Sequence, residues 1–204
     1  MATRSVDPIE QGVRALDSAA RRRAHARRRP LRHRLAVVAP SAEDVIRHVG
    51  GWLFDRTYAG WEVTVLVSEC SNVRPLGILG AEVLELEQSL AAPLHDTWPN
   101  AVAVAAQTYR ADGRVRAGVL ECLDRGLVEV AVWGDGLPAE LDNRIAPVEH
   151  RVSVAARAFK ACALAAAGFP AEQVAVTEAF RTGELRSDRR RAGDLVSARP
   201  AAGV

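Results

Sequence analysis

Residues 34–67 constrain the fold more than any other stretch, because they predict a complete strand, helix and strand. An apolar run stops at Pro40, and Ser41 then occupies the position of a helix N-cap. Apolar residues recur at helical spacing until Gly60, and a second apolar run follows. Two buried strands joined by one helix are expected to be parallel neighbours with a right-handed crossover. A ligand-binding edge is therefore expected after Pro40 and after Val67, at the carboxyl ends of the strands.

The rest of the chain continues this alternation. Apolar runs predict further strands at residues 81–86, 127–133 and 174–177. Helical spacing and glycine stop signals predict helices at residues 101–109, 114–125 and 148–167, with a loop at residues 87–100. The sequence thus predicts a three-layer, Rossmann-like α/β domain with a mostly parallel sheet, spanning residues 34–182.

Size and composition favour one domain in the cytoplasm. A chain of 204 residues, 49% of them hydrophobic, can bury a single substantial core. Its three cysteines, Cys70, Cys122 and Cys162, are far apart and odd in number, which is typical of reduced thiols. Membrane spans need roughly 18 consecutive apolar residues, which the sequence lacks, so no membrane partner is expected. Lys160 is the only lysine, and we attribute the excess of arginine to compositional bias.

Both ends of the chain differ in composition from the domain. Residues 1–33 form a basic arm whose candidate anion-binding side chains are Arg21, Arg22, Arg23, Arg27, Arg28 and Arg29. One interpretation is phosphate contact with nucleic acid, and the other is a solvated extension, partly helical or disordered. Residues 183–204 are polar and without period, which predicts a flexible tail.

Three short segments carry candidate chemistry. Gly50 and Gly51 lie inside the first predicted helix, where each costs about 1 kcal/mol relative to alanine, so we expect close packing or ligand approach. Asp135 and Gly136 follow a predicted strand and are candidates for ligand binding, with an ordinary turn as the alternative. In the loop at residues 87–100, a His-Asp pair at 95–96 is a weaker candidate for acid–base chemistry.

The first strand, helix and strand resemble those of the LmbE-like, or PIG-L, family of zinc-dependent N-deacetylases of amino-sugar substrates. That family begins with a strand, Pro-His-Pro-Asp-Asp, a helix containing Gly-Gly, and a second strand that starts near Glu-Val. The matching residues in this chain, without a gap, are Pro40, Gly50, Gly51, Gly60, Glu62 and Val63. The resemblance implies a Rossmann-like fold over roughly residues 34–165.

The catalytic motifs of the family are altered in this chain. Ser41 stands where the resemblance places the first zinc-ligating histidine, and Glu43 replaces the general-base aspartate. Asp44 matches the zinc-ligating aspartate, and His150 matches the last zinc ligand, in a segment similar to the family's His-Pro-Asp-His. The resemblance therefore implies catalytic roles for Glu43 and His150 and metal ligation by Asp44 and His150. A catalytic zinc site normally has three protein ligands, and serine does not replace imidazole.

These observations leave three functional hypotheses open. The first is a non-catalytic LmbE-like protein that binds a small molecule or a protein at the strand ends, around Ser41, Asp44, Asp135 and His150, with no cofactor. The second is a divergent hydrolase that uses zinc or another divalent metal. The third is an adaptor whose basic arm binds nucleic acid or an acidic partner.

Overall fold

The structure is a computed structural model that describes residues 33–91, 99–170, 174–183 and 195–197, the last three as backbone. Within these residues, eight strands form one sheet: β1 Arg34–Ser41, β2 Glu62–Glu69, β3 Glu82–Glu85, β4 Ala101–Ala105, β5 Glu129–Trp133, β6 Ile145–Arg151, β7 Thr177–Gly183 and β8 Leu195–Ser197. The same residues form five α-helices: α1 Ala42–Tyr58, α2 Leu86–Ala91, α3 Ala106–Ala111, α4 Gly113–Arg125 and α5 Val154–Ala166. Short 3-10 helices occur at Arg74–Leu79 and Ala139–Leu141.

The predicted first strand, helix and strand are confirmed as β1, α1 and β2. β1 and β2 are parallel neighbours. The backbone N–H of Asp44 donates to Ser41 Oγ at 3.3 Å, so Ser41 is the N-cap of α1, as predicted. The helix ends at Tyr58 with Ala59 as its cap, one residue before the predicted cap at Gly60. Gly60 has φ +90°, which lets the chain turn sharply into β2.

The strand order is β3-β2-β1-β4-β5-β7-β6-β8. β3, β2, β1, β4 and β5 are consecutive parallel neighbours. β7 is antiparallel to both β5 and β6, and β8 is antiparallel to β6, so six of these eight strands run in one direction. The predicted α/β class with a mostly parallel sheet is confirmed.

Helices cover both faces of the sheet and complete the three layers. On one face, α1, α5 and the 3-10 helix Arg74–Leu79 enclose the larger core, in which Trp52, Leu53 and Trp133 are buried. On the other face, α3 and α4 enclose a second core around Tyr109 and Val119. β1 lies inside the sheet and α1 packs in the larger core, and the site described below starts where β1 becomes α1.

The prediction of one helix at residues 101–109 is wrong in its first half. Ala101–Ala105 is β4, which lies between β1 and β5 at the centre of the sheet, and the helix α3 starts only at Ala106. Alanine favours helix in isolation, but a central strand buried on both faces also accepts small residues. Strand pairing has overridden the local preference here.

The predicted helix at residues 148–167 starts too early. Val148 has helical spacing to Val152, yet residues Ile145–Arg151 form β6, and α5 begins after its N-cap Ser153. The backbone N–H of Ala156 donates to Ser153 Oγ at 3.0 Å, which marks the true start of the helix. Val148 and His150 are buried and Glu149 and Arg151 are exposed, which is the alternation of a strand and not of a helix.

Three smaller predictions also need adjustment. The loop predicted at residues 87–100 contains most of the short helix Leu86–Ala91. The strand predicted at residues 174–177 lies further along the chain, at Thr177–Gly183. The apolar pattern did not predict this position, because the charged Glu178 is one of the buried residues of the strand. Three residues of the predicted tail, Leu195–Ser197, pair with β6 as β8.

Several predictions lie outside the described residues. These are residues 1–32 of the predicted basic arm, with all its candidate anion-binding arginines, and the His-Asp pair at 95–96. Among the residues that are described, no helix is both long and apolar enough to cross a membrane.

Candidate functional site

The carboxyl ends of three adjacent strands, β2, β1 and β4, meet at one cleft, at the edge that the sequence predicted. Ser41 ends β1, Glu69 ends β2, and Gln107 follows β4, while Trp133 at the end of β5 contacts Asp44 from the neighbouring strand. The cleft has a volume of about 500 Å³ and is lined by Pro40, Ser41, Glu43, Asp44, Arg47, His48, Glu69 and Gln107. Seven of these eight side chains are polar, so the cleft offers many hydrogen bonds and little apolar contact.

Asp44 is the most firmly held acidic side chain of the cleft. The Trp133 indole Nε1–H donates to Asp44 Oδ2 at 3.0 Å, and His48 Nδ1 lies 3.3 Å from Asp44 Oδ1. Trp133 is buried, while the His48 side chain is 51% exposed. The buried indole of Trp133 thus orients the Asp44 carboxylate from the protein interior. The carboxylate faces the cleft, and the His48 imidazole lies beside it on the next turn of the helix.

The Asp44 contact changes the acidity of His48. The hydrogen bond with the Asp44 side chain raises the pKa of His48 above its ordinary value of 6.5, although partial burial opposes the shift. On the same helix, Arg47 Nε lies 2.9 Å from Glu43 Oε1, so Glu43 forms an exposed ion pair. Two acidic and two basic side chains therefore form i, i+4 pairs along the rim of the cleft.

His150 does not join this site. It lies in β6 with its side chain buried, and His150 Nε2 is 2.8 Å from Asp55 Oδ2. The backbone N–H of Ser153 donates to the same oxygen at 3.1 Å. Asp55 is eleven residues after Asp44 on α1, which at 1.5 Å per residue is about 16 Å along the helix axis. The structure therefore does not bring together Asp44 and His150, the pair predicted to bind metal.

Gly50 and Gly51 face protein rather than the cleft. A Cβ at Gly51 would lie 2.5 Å from Val152 Cγ1 and 3.0 Å from Glu178 Oε1. A Cβ at Gly50 would lie 3.3 Å from Leu79 Cδ1 and 3.5 Å from Lys160 Cγ. Of the two reasons that the sequence offered for this glycine pair, these contacts agree with close packing, while ligand binding by the pair stays a prediction.

The groups packed on these glycines form a buried ion pair. Lys160 Nζ lies 2.6 Å from Glu178 Oε1, with side-chain exposures of 5% and 2%. Glu178 also accepts hydrogen bonds from the backbone N–H groups of Gly51 and Trp52, at 2.9 and 2.7 Å. Lys160 Nζ donates to the carbonyl oxygen of Arg47 at 2.6 Å. Both side chains of the pair are therefore hydrogen-bonded to the backbone of α1.

Asp135 and Gly136 lie in an exposed turn after β5. Gly134 and Gly136 have φ of +91° and +70°, so the turn requires glycine for its backbone. A Cβ at Gly136 would meet the Arg110 guanidinium at 2.8 Å. Neither Asp135 nor Gly136 lines the cleft. These contacts agree with the ordinary turn, while ligand binding by this segment stays a prediction.

The residues at the cleft do not fit a catalytic zinc ion. Ser41 caps α1, Asp44 already accepts from Trp133, and His150 lies beside Asp55. Across the described part of the chain, no group of three or more His, Cys, Asp or Glu side chains is placed to hold a metal ion. Zinc sites in enzymes need three such ligands and an open position for water.

Comparisons with known proteins bear on the fold. No protein-family model matches the chain, and no curated protein matches it. The A40926 pseudoaglycone deacetylase Dbv21 is similar in structure, with a TM-score of 0.50 and 17% identity over 66% of this chain and 81% of that one. A triple mutant of the teicoplanin-pathway deacetylase Orf2 has a TM-score of 0.52 and 11% identity, over 76% of this chain and 100% of that one.

The described domain has the same fold as these two deacetylases. At these identities the likeness shows the fold alone, so the predicted resemblance is confirmed at the level of the backbone.

Sequence reasoning missed several residues of the cleft. His48 lies four residues after Asp44, a spacing that places both residues on one side of a helix and was the available signal for His48. Trp133 and Glu69 stand at strand ends, which was the available signal for both. Arg47 and Gln107 follow once the cleft is known, because they lie in the first turns of α1 and α3.

Proposed function

We propose that this chain is a non-catalytic protein of LmbE-like fold that binds a small amino-sugar-type ligand in the cleft at the carboxyl edge. One observation carries the proposal: Asp44 is oriented into the cleft by Trp133, while Ser41 occupies the position of an imidazole ligand. A carboxylate that is fixed in one orientation can accept hydrogen bonds from hydroxyl and amine groups of a ligand, and this requires no catalytic step.

The charges of the cleft favour a ligand that carries an amine and several hydroxyls. Glu43 pairs with Arg47, and Asp44 pairs with His48. Glu69 accepts a hydrogen bond at 2.6 Å from the Ser71 hydroxyl, a neutral donor that leaves the negative charge of Glu69 in place. Carboxylate oxygens attract a protonated amine, and the amide of Gln107 and the guanidinium of Arg47 suit hydroxyl groups.

The cleft lacks the base and the metal ligands that the mechanism of the LmbE-like deacetylases would require. The matching base position, Glu43, is engaged with Arg47 on an exposed turn. The matching last ligand, His150, contacts Asp55, which lies about 16 Å along α1 from Asp44 by the helical rise. Without three ligands, zinc does not polarise a carbonyl or activate water at this place.

Isothermal titration calorimetry with glucosamine and N-acetylglucosamine tests ligand binding. We expect wild type to bind glucosamine, and Asp44→Asn to weaken binding about 10-fold or more, because one charge-assisted hydrogen bond contributes about 1.5–3 kcal/mol. Glu121→Gln is the matched control, since Glu121 pairs with Arg125 on α4, on the other face of the sheet. Wild type that binds neither sugar, or equal losses in both variants, overturns the proposal.

Metal content separates the proposal from the divergent hydrolase. Untagged wild type is expected to hold far less than one equivalent of zinc after purification and to release no acetate from N-acetylglucosamine. One equivalent of zinc that is lost in Asp44→Asn, together with acetate release by wild type, would instead establish a metal-dependent deacetylase.

A further inference from the structure

The two longer helices outside α1 differ in their outward surfaces. The outward side chains of α4 are largely charged and include Arg114, Arg116, Glu121, Asp124 and Arg125. Those of α5 are uncharged and include Val154, Ala155, Ala158, Phe159, Cys162 and Ala165. A helix that is apolar on all sides is normally covered on all sides, whereas α5 is covered by the described residues on its inner side only.

The charged side chains of α5 are turned away from this surface. Lys160 is buried in its ion pair with Glu178, and Arg157 is half-buried. Val154 is 76% exposed and Phe159 is 44% exposed. The outer side of α5 is therefore a neutral apolar surface on a chain in which 25% of all residues are charged.

Aromatic rings extend this surface onto α1. Phe159 stacks on Phe54 with ring centroids 4.4 Å apart, and Phe54 stacks in turn on Tyr58 at 6.1 Å. Tyr58, the last ring, is 84% exposed. We call the outward residues of α5 together with Phe54 and Tyr58 the α5 surface. Contiguous apolar surface of this kind marks an interaction site more often than scattered exposed residues do.

The charge and shape of the α5 surface fit a copy of itself. A two-fold interface brings each residue near its own counterpart, so any net charge at the axis would face like charge. The outward α5 residues carry no charge, so they pack against their counterparts in a second copy without electrostatic repulsion. The large ring of Phe159 stands beside the small side chains of Ala155, Ala158 and Cys162, so a ridge and a groove lie on the same helix.

We propose that the α5 surface is the two-fold interface of a homodimer, in which Phe159 of each subunit packs against the small residues of its partner's α5. The interface is independent of ligand binding, because α5 contributes no side chain to the cleft. Aromatic and small apolar residues with few charges are the composition of dimer interface cores.

Sedimentation velocity on the full chain tests the proposal. Wild type is expected at about twice its monomer mass of 22.0 kDa. Ala158→Glu places a charge at the axis and is expected to shift the protein to the monomer. Leu127→Glu is the matched control, because Leu127 is 72% exposed outside the α5 surface. Phe159→Ser serves as a second interface variant, and circular dichroism confirms that each variant is folded.

Cross-linking with a short bis-maleimide locates the interface. Cys162 lies on the α5 surface, Cys70 is exposed elsewhere, and Cys122 is buried. We expect Cys70→Ser to retain the cross-linked dimer and Cys162→Ser to lose it. A wild type that stays monomeric at 100 μM, a dimer that survives Ala158→Glu, or a cross-link that depends on Cys70 overturns the proposal.

Discussion

Two polar clusters contact the same helix, α1, but differ in their position along it and in their exposure to solvent. The cleft cluster, Asp44, His48 and Trp133, lies at the start of α1, with Asp44 and His48 side chains 21% and 51% exposed. The buried pair, Lys160 and Glu178, lies at the middle of α1, with exposures of 5% and 2%. Both contain a carboxylate and a basic partner, so the contrast comes from their surroundings.

The difference shows which polar groups are available for a ligand. Glu178 uses both carboxylate oxygens on the backbone of α1, and Lys160 donates to the Arg47 carbonyl, four residues before Gly51. These bonds offset the cost of burying two charges. In the cleft cluster, water or a ligand can reach the remaining lone pairs of Asp44. The buried pair is therefore structural, and the cleft cluster is the candidate for binding.

The largest expected effect comes from breaking the buried pair. Glu178→Ala or Lys160→Ala leaves one buried charge alone, which typically costs about 3–5 kcal/mol of unfolding free energy. The double variant Lys160→Met, Glu178→Leu removes both charges and is expected to cost less than either single change. Urea unfolding measures all three. Single variants that lose less than the double variant would contradict the structural role.

The next effect separates the two glycines. Gly51→Ala places a methyl group 2.5 Å from Val152 Cγ1 and is expected to destabilise the fold by about 1–3 kcal/mol through overpacking. Gly50→Ala meets its nearest atom at 3.3 Å and gains about 1 kcal/mol of helix propensity, so its net effect should be near zero. Thermal unfolding of both variants compares them. Equal losses would contradict the packing around the buried pair.

A smaller loss is expected at the start of α1. Ser41→Ala removes the acceptor for the Asp44 N–H and should cost about 1 kcal/mol. Ser153→Ala removes the equivalent cap of α5 and should cost a similar amount. Only Ser41→Ala should also change the affinity for glucosamine, because Ser41 lines the cleft. Urea unfolding and calorimetry on both variants separate the two effects.

The smallest effect is a pH dependence in the cleft cluster. The pKa of His48 is raised in the fold above 6.5, its ordinary value, by the hydrogen bond with Asp44. The resulting stabilisation is fully present below pH 6.5 and is lost as the pH rises through the raised pKa. Because His48 is half-exposed, we expect only a few tenths of a kcal/mol. Imidazole NMR titration gives the pKa, and His48→Gln should abolish the difference in stability between pH 5.5 and 8.5.

The buried pair also explains a feature that composition concealed. Lys160 is the only lysine among the 27 lysine and arginine residues, and nothing in the sequence distinguishes it from the arginine bias. The structure packs its Cγ beside Gly50 and its Nζ on a helix carbonyl. A compact ammonium fits there, whereas a planar guanidinium with five donors would leave donors buried without partners.

The sequence by itself determined the β1, α1 and β2 unit, the α/β class and the edge at which the cleft opens. These depend on local signals, namely apolar periodicity, the Ser41 cap and the position of strand ends, which act within a few residues. The match of His150 to a metal ligand came from the resemblance, and the structure places His150 beside Asp55 rather than beside Asp44, because similarity along the chain does not give separation in space.

Only the tertiary structure decided that Ala101–Ala105 is a central strand, that Gly50 and Gly51 face a buried ion pair, and that Trp133 orients Asp44. Each of these depends on contacts between residues far apart in sequence: Gly51 and Glu178 are 127 positions apart, and Asp44 and Trp133 are 89 apart. Such contacts leave no periodic signal in one sequence, because the two residues come together only when the chain folds.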